Sequence, residues 1–226
     1  MDMTAYEAGV SESLRPFFPL LGIESEPYAS RGIMHSEMAM VIFQCAARRI
    51  EVVIESGRAR GQSTYLLAKY LPTVTIHSVE RWRDEDALFC EERLTGFANV
   101  SLWYGDGRVL VPDLLKQTKA AGKRVAILLD GPKGDVALDL LEQNPGWDVA
   151  FIHDMRKLDH GQPAPFRKRA ETWNSFFTDE EEYVEATKHL DAKVVEAGES
   201  VSHWRPGYIN GEATGSYGPT LGVFLP

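Results

Sequence analysis

The chain has 226 residues, 44% of them hydrophobic and 25% charged, with a formal net charge of −9 at pH 7. That length predicts one domain, spanning 1–226, with a sizeable core, and the acidic balance argues against a general nucleic-acid binder. No apolar stretch nears the roughly 20 residues of a membrane span, the polar start MDMTAYEAGVSES is no signal peptide, and Cys45 and Cys90 lack metal or redox spacing. A cytoplasmic protein with buried free thiols is the expectation.

Residues 1–30 carry an aromatic-proline patch, Pro16-Phe17-Phe18-Pro19-Leu20-Leu21, which packs on a helix face or caps a site. From Gly32 to Ile50, Met34, Met38, Val41, Ile42 and Cys45 recur at helical spacing. Residues 1–49 are therefore expected to form an N-terminal helical cap. The β-branched run Val52-Val53-Ile54 predicts a strand. It turns through Glu55-Ser56-Gly57-Arg58-Ala59-Arg60-Gly61 into a helix from Ser63 to Tyr70. Strand, glycine turn and helix make the first unit of a doubly wound sheet, whose ligands lie at the carboxyl ends of the strands.

The turn reads G-x-x-x-G and misses the G-x-G-x-x-G dinucleotide fingerprint. Glu55 at the strand end repels a pyrophosphate and suits a cationic ligand such as S-adenosylmethionine (SAM), which carries a sulfonium and an ammonium. Arg58 and Arg60 either attract an anionic acceptor or face solvent.

Val74 to Val79 predicts a second strand, ending at Glu80, where a ribose diol is usually held. Trp82 follows by two residues and can stack on adenine. An acidic helix runs from Glu85 to Leu94. Asn99 to Tyr104 predicts a third strand, with Asp106 at its tip able to accept a hydrogen bond from an adenine amino group. After a helix from Val111 to Ala121, Val125 to Leu129 predicts the fourth strand. It ends in Asp130-Gly131-Pro132-Lys133-Gly134, a carboxylate with a lysine three residues on. Val136 to Gln143 continues as helix, and Val149 to Ile152 predicts a fifth strand ending at His153-Asp154. His153 reads either as an alternative base or metal ligand or as a strand-end histidine bonded to backbone.

Residues 156–178 break the rhythm, being basic, proline-bearing and aromatic; with 198–219 they are expected to form a lid or substrate wall. Arg156, Lys157, Arg167, Lys168 and Arg169 either attract an anionic acceptor or form a solvated face. Asp179 to Leu190 predicts a helix with acids in its first turn. Lys193 to Glu196 predicts a sixth strand and Thr220 to Leu225 a last one, together an antiparallel pair at the sheet edge. The fold class is thus α/β: a Rossmann-like, doubly wound, seven-stranded sheet, mostly parallel, with an antiparallel C-terminal pair.

With these strand-tip carboxylates the chain resembles the class I SAM-dependent methyltransferases, and among them the metal-dependent O-methyltransferases related to catechol O-methyltransferase. The resemblance spans about residues 50–155, nearly half the chain. E-S-G-R-A-R-G-Q-S fits the family's E-x-G-x-x-x-G-x-S turn. It implies that Glu55, Gly57, Arg58, Gly61 and Ser63 serve the methionine part of SAM, Glu80 the ribose, and Trp82 and Asp106 the adenine. Asp130 and Lys133 match D-x-x-K, in which the aspartate binds metal and the lysine acts as base. Asp154 matches a second metal aspartate. The family's next residue is asparagine; here it is Met155. Hard oxygen ligands favour magnesium, manganese or calcium.

The resemblance implies O-methylation of a small hydroxylated acceptor, with no nucleic-acid or membrane partner and a homo-oligomer left open. A metal-independent enzyme of this fold, favoured by Met155, and a non-catalytic SAM-binding protein stand as alternatives.

Overall fold

The structure, a computed structural model, describes residues 22–29, 32–156, 158–159, 162–196 and 220–226. Helix α1 (His35–Ala47) precedes strand β1 (Val52–Ser56). Then follow α2 (Gln62–Tyr70), β2 (Thr75–Glu80), α3 (Glu85–Arg93), β3 (Val100–Tyr104), α4 (Gly107–Ala120), β4 (Val125–Leu129), α5 (Gly134–Gln143) and β5 (Val149–Ile152). Beyond them come α6 (Pro165–Ala170), β6 (Ser175–Phe177), α7 (Glu181–Thr187), α8 (Ala192–Glu196) and β7 (Gly222–Phe224).

The strands form one sheet in the order β3-β2-β1-β4-β5-β7-β6. β1 to β5 are parallel, and β7 runs antiparallel to both β5 and β6. This is the expected doubly wound α/β sheet. Strand order reverses between β1 and β4, so the crevice at their carboxyl ends is where such a sheet takes a ligand.

The core lies on both faces. In β4, Val125, Ile127 and Leu129 pack with Val111, Leu114 and Leu115 of α4 and Ala137, Leu138 and Leu141 of α5. Ala126 and Leu128 point the other way, into the layer of α1 and α2 with Met38, Ile42, Leu66 and Leu67. A strand covered on both faces is apolar throughout rather than alternating, which is why β4 stood out in the sequence. Cys45 and Cys90 are buried free thiols. Among the described residues, no helix is long and apolar enough to cross a membrane.

Two expectations are corrected. Lys193–Glu196 is not a strand but part of α8; the sixth strand is Ser175–Phe177. The valine pair signals strand, but strand propensity yields to packing, and Val194 packs with Met34 and Val184. The antiparallel edge pair exists, formed by β6 and β7, with Phe177 against Phe224 at 6.3 Å between ring centroids.

The second correction concerns residues 156–178. From Ala164 on, this stretch is built into the body of the protein rather than forming a loose wall. Arg167, read as solvated, is buried. Its guanidinium donates to Met155 O at 2.8 Å, to both carboxylate oxygens of Asp179 at 3.1 Å and to Glu171 at 2.9 Å. Residues 198–219 and the Pro16–Leu21 patch lie outside the described residues.

Of the N-terminal cap, residues 22–29 hold to α2 through buried Glu26. It accepts from Lys69 Nζ at 2.6 Å, Tyr70 Oη at 2.8 Å and Tyr65 Oη at 3.0 Å. Burial pushes this carboxyl up, but the three donors outweigh that and hold it below its ordinary value of 4.5. A depressed carboxyl contributes stability above its unfolded pKa and loses it as pH falls through the folded one. Glu26→Gln should therefore lower the unfolding free energy by about 1–3 kcal/mol at neutral pH. The deficit should shrink below about pH 4, as read by urea denaturation at both pH values.

Candidate functional site

The turn after β1 is fixed by backbone. Asp130 N and Gly131 N both donate to Ser56 O at 2.8 Å, locking the exits of β1 and β4 together at the switch point. Gly57 sits at φ +91°, and a Cβ there would meet Gly131 N at 2.1 Å, so no other residue fits. Gly61, at φ +73°, lets Cys90 of α3 approach; a Cβ would lie 2.5 Å from its Sγ.

Glu55 is fully buried beneath this turn. Its Oε2 accepts from Thr64 Oγ1 at 2.5 Å and Ser78 Oγ at 2.6 Å. Oε1 has no well-formed hydrogen bond among the described residues, although the buried Ser63 hydroxyl is close enough to favour the charged form. Burial outweighs these groups and raises the Glu55 carboxyl. Glu55 thus binds β1 to α2 and β2.

Arg58 corrects one of the two readings offered for it: its side chain does not face solvent, and its Nε and Nη2 are buried without a hydrogen-bond partner among the described residues. It is 2% exposed. Its Nη1 donates to Ser78 O at 2.7 Å and Trp103 O at 3.1 Å, and the guanidinium lies 4.6 Å from the Tyr104 ring. Only the Arg58 backbone remains at the turn. Arg60 pairs with Asp86 at 3.3 Å and stacks on Phe89.

At the tip of β2, Glu80 Oε2 accepts from Arg58 N at 3.0 Å and Ala59 N at 2.9 Å, and Oε1 from Arg81 N at 2.7 Å. A carboxylate oxygen accepts about two donors, so Oε2 is filled and Oε1 has room for one more. Trp82 is 64% exposed, with Arg81 beside its ring. Asp106 caps α4 by accepting from Arg108 N at 2.9 Å, and the Arg108 guanidinium also grips it. These bonds pull the Asp106 carboxyl down to about 2, and another donor reaches it only if the exposed Arg108 side chain moves.

At the tips of β4 and β5, Asp130 and Asp154 converge as expected, but with company. The Lys133 ammonium bonds to Asp130 and, at 2.5 Å, to Asp154. His153 is buried, with Nδ1 2.8 Å from Asp130 Oδ1 and Nε2 3.3 Å from Glu37 Oε2. This corrects the strand-end reading of His153, whose partners are carboxylates rather than backbone. Asp154 adopts φ +62°, a left-handed conformation that aspartate tolerates.

Burial disfavours every charge here. The mutual attraction of the groups prevails for Asp130 and Asp154, held below the carboxylate range, for Lys133, held above the usual lysine value, and for His153, held well above 6.5. Glu37 is the exception, pushed up by complete burial.

Glu37 escaped the sequence reading. It lies in α1 beside the methionine stripe, accepts from Met34 N at 3.1 Å, and is fully buried. A carboxylate inside an apolar helical stripe was the available signal, because such a group is buried only with a partner.

Among the described residues, Asp130, His153 and Asp154 bring ligand atoms within 4.8 Å of one another. The set does not fit a divalent ion as it stands. Lys133 fills the gap between the carboxylates, and both nitrogens of His153 face carboxylate oxygens. Met155, where an asparagine oxygen would be, is buried in the core.

No family model and no curated protein matches the chain. Several solved structures resemble it. The SAH-bound methyltransferase PaMTH1 of Podospora anserina is 11% identical, with 96% of this chain and 88% of that one covered at a TM-score of 0.48. The O-methyltransferase TomG of Streptomyces achromogenes, in complex with SAM, is 15% identical over 86% and 81% at 0.47. A precorrin-6y C5,15-methyltransferase of Geobacter metallireducens is 16% identical over 66% and 75% at 0.47. At such identities the likeness is one of fold, and the class of this sheet rests on its own strand order.

Proposed function

We propose that the chain is a SAM-dependent methyltransferase acting on a hydroxyl group of a small acceptor. The observation that carries this reading is the Glu80 clamp. A strand-tip carboxylate closes on two amides of the glycine turn at the sheet's switch point and keeps one accepting position on Oε1. That spare position suits a ribose hydroxyl, and exposed Trp82 lies two residues on for a purine face.

Bound SAM supplies an electrophilic methyl group on a sulfonium. The turn and Glu80 orient it, with buried Glu55 tying β1 to α2 and β2 beneath the turn. The acceptor hydroxyl belongs beside Asp130, Lys133 and Asp154. There its oxygen forms the bond to the methyl carbon as the carbon–sulfur bond breaks, leaving S-adenosylhomocysteine (SAH). Lys133 is charged in this arrangement, so it holds the acceptor oxygen as an anion and the proton leaves to solvent. A magnesium, manganese or calcium ion on Asp130 and Asp154 is the finer alternative that the resemblance implies. The Lys133 bridge favours the metal-independent form.

Calorimetry with SAH tests the reading. Glu80→Ala removes the ribose acceptor and frees two turn amides, and should weaken SAH by about 1–3 kcal/mol. Wild-type protein that ignores SAM and SAH but binds NAD sinks the proposal.

A further inference from the structure

We propose that Lys133 is the resident cation of this site. Its ammonium stands between Asp130 and Asp154 in the place of a divalent ion, and the His153 ring shares the same Asp130 oxygen. The inference rests on the methyltransferase reading only for what the cation accomplishes; the geometry stands without it.

Neighbouring parallel strands lie about 4.8 Å apart, so carboxylates at the tips of β4 and β5 must meet, and like charges at that spacing need a cation. The chain supplies one at the shortest reach, in the turn after β4. Asp130-Gly131-Pro132-Lys133 returns the ammonium to its own strand's aspartate and across to Asp154. Lys133 is also the N-cap residue of α5, so the start of that helix fixes its backbone.

The His153 ring is approached by a helix from the other face of the sheet than α5. Glu37 lies in α1, and its carboxylate is wholly buried, with Oε2 facing His153 Nε2. Burial pushes the Glu37 carboxyl up, and His153 Nε2 is the polar group that faces it, at 3.3 Å. His153 in turn spends its other nitrogen on Asp130 Oδ1, the same oxygen that receives Lys133. Asp130 Oδ1 is therefore occupied by both the Lys133 ammonium and the His153 ring.

Among the described residues, Asp130, His153 and Asp154 are the candidate ligand set. Magnesium and calcium take six or more ligands, mostly oxygen. After Asp154 the chain offers Met155, whose side chain is buried and whose backbone N–H donates to Thr220 O at 2.7 Å. Among the described residues, a bound ion would have to displace Lys133 to reach the two carboxylates, one of them still bound to His153. In the methyltransferase reading, the ammonium does the electrostatic work otherwise done by a metal: it favours the deprotonated acceptor oxygen and gives it a fixed point.

The test uses the full chain with Mn²⁺ alone, followed by electron paramagnetic resonance and calorimetry without SAM. Wild type should leave Mn²⁺ free up to about 1 mM, the weak end of biological cation sites. Lys133→Met vacates the gap and should bind one Mn²⁺ at least ~10-fold more tightly than wild type. The gain should vanish in the double variant Lys133→Met/Asp154→Asn. Lys133→Gln serves as a second vacating variant, with thermal melting to verify folding. Two results overturn the proposal. One is wild-type Mn²⁺ binding that Asp130→Asn abolishes, which needs no vacated variant to be read. The other is a folded Lys133→Met and Lys133→Gln that gain no affinity, because Lys133 then does not stand in an ion's place. SAH binding is measured separately, so its failure sinks the methyltransferase reading and leaves the Mn²⁺ result standing.

Discussion

Arg167→Ala should lower the unfolding free energy by about 3–5 kcal/mol, the cost of leaving one partner of a buried ion pair alone. Asp179 loses a guanidinium that donates to both of its oxygens, in a place where neither side chain is exposed beyond 3%. The same change removes a donor from Met155 O and a cation lying 3.3 Å from the Phe177 ring, so α6, β6 and the exit of β5 loosen together. Replacing the pair as Arg167→Met/Asp179→Leu should recover most of the loss, because an apolar pair of similar volume carries no desolvation cost. Urea denaturation of the three proteins reads both effects. A loss below about 1 kcal/mol for Arg167→Ala, typical of an exposed pair, would show that Arg167 does not anchor this part of the sheet.

What the sequence disclosed was local. Gly57 and Gly61, the apolar run of β4 and the carboxylates at the ends of β2, β3, β4 and β5 are each legible within a few residues, because strand, turn and tip are adjacent in the chain. The parallel direction of the first five strands follows from the βα alternation, whereas their order is set by packing across the sheet. What escaped depends on partners far along the chain. Arg58 looks like a surface residue in a turn, and only the carbonyls of Ser78 and Trp103, from two other strands, explain why it is buried. Arg167 sits in a basic stretch whose character is overturned by Asp179 alone. Ser175–Phe177 is too short to show a period of two, and it forms a strand because β7 offers it an edge. Glu37 and His153 read separately as a helix residue and a strand-end histidine. Their meeting is a property of how α1 lies on β5, and no spacing encodes it. Lys133 was legible as a site residue, but its place between two aspartates follows from β4 and β5 being neighbours.

Lys133→Ala should lower turnover by roughly 10²–10³-fold, the span for losing a fixed electrostatic contact to a developing or stabilised oxyanion. The readout is SAH release with a panel of small phenols and alcohols. The KM for SAM should change little, because Lys133 lies at the β4 tip rather than on the turn after β1. The sign of the pH dependence separates a charged holder from a base. Burial draws the Lys133 pKa down, but Asp130 and Asp154 more than offset it and keep it above the ordinary lysine value. A group with a raised pKa is protonated throughout the neutral range, and its contribution is lost only as pH rises through the folded value. Activity resting on the ammonium should therefore show no Lys133-dependent rise between about pH 6 and 9, below the ordinary lysine pKa of about 10.4. Lys133→Arg, which keeps the charge, should retain more turnover than Lys133→Met, which keeps only the length. A general base would behave in the opposite way: activity would climb as the lysine deprotonates, and arginine, which does not give up its proton, would be as inactive as methionine. That pattern would return Lys133 to the role of base and remove the reason for it to stand between the two aspartates.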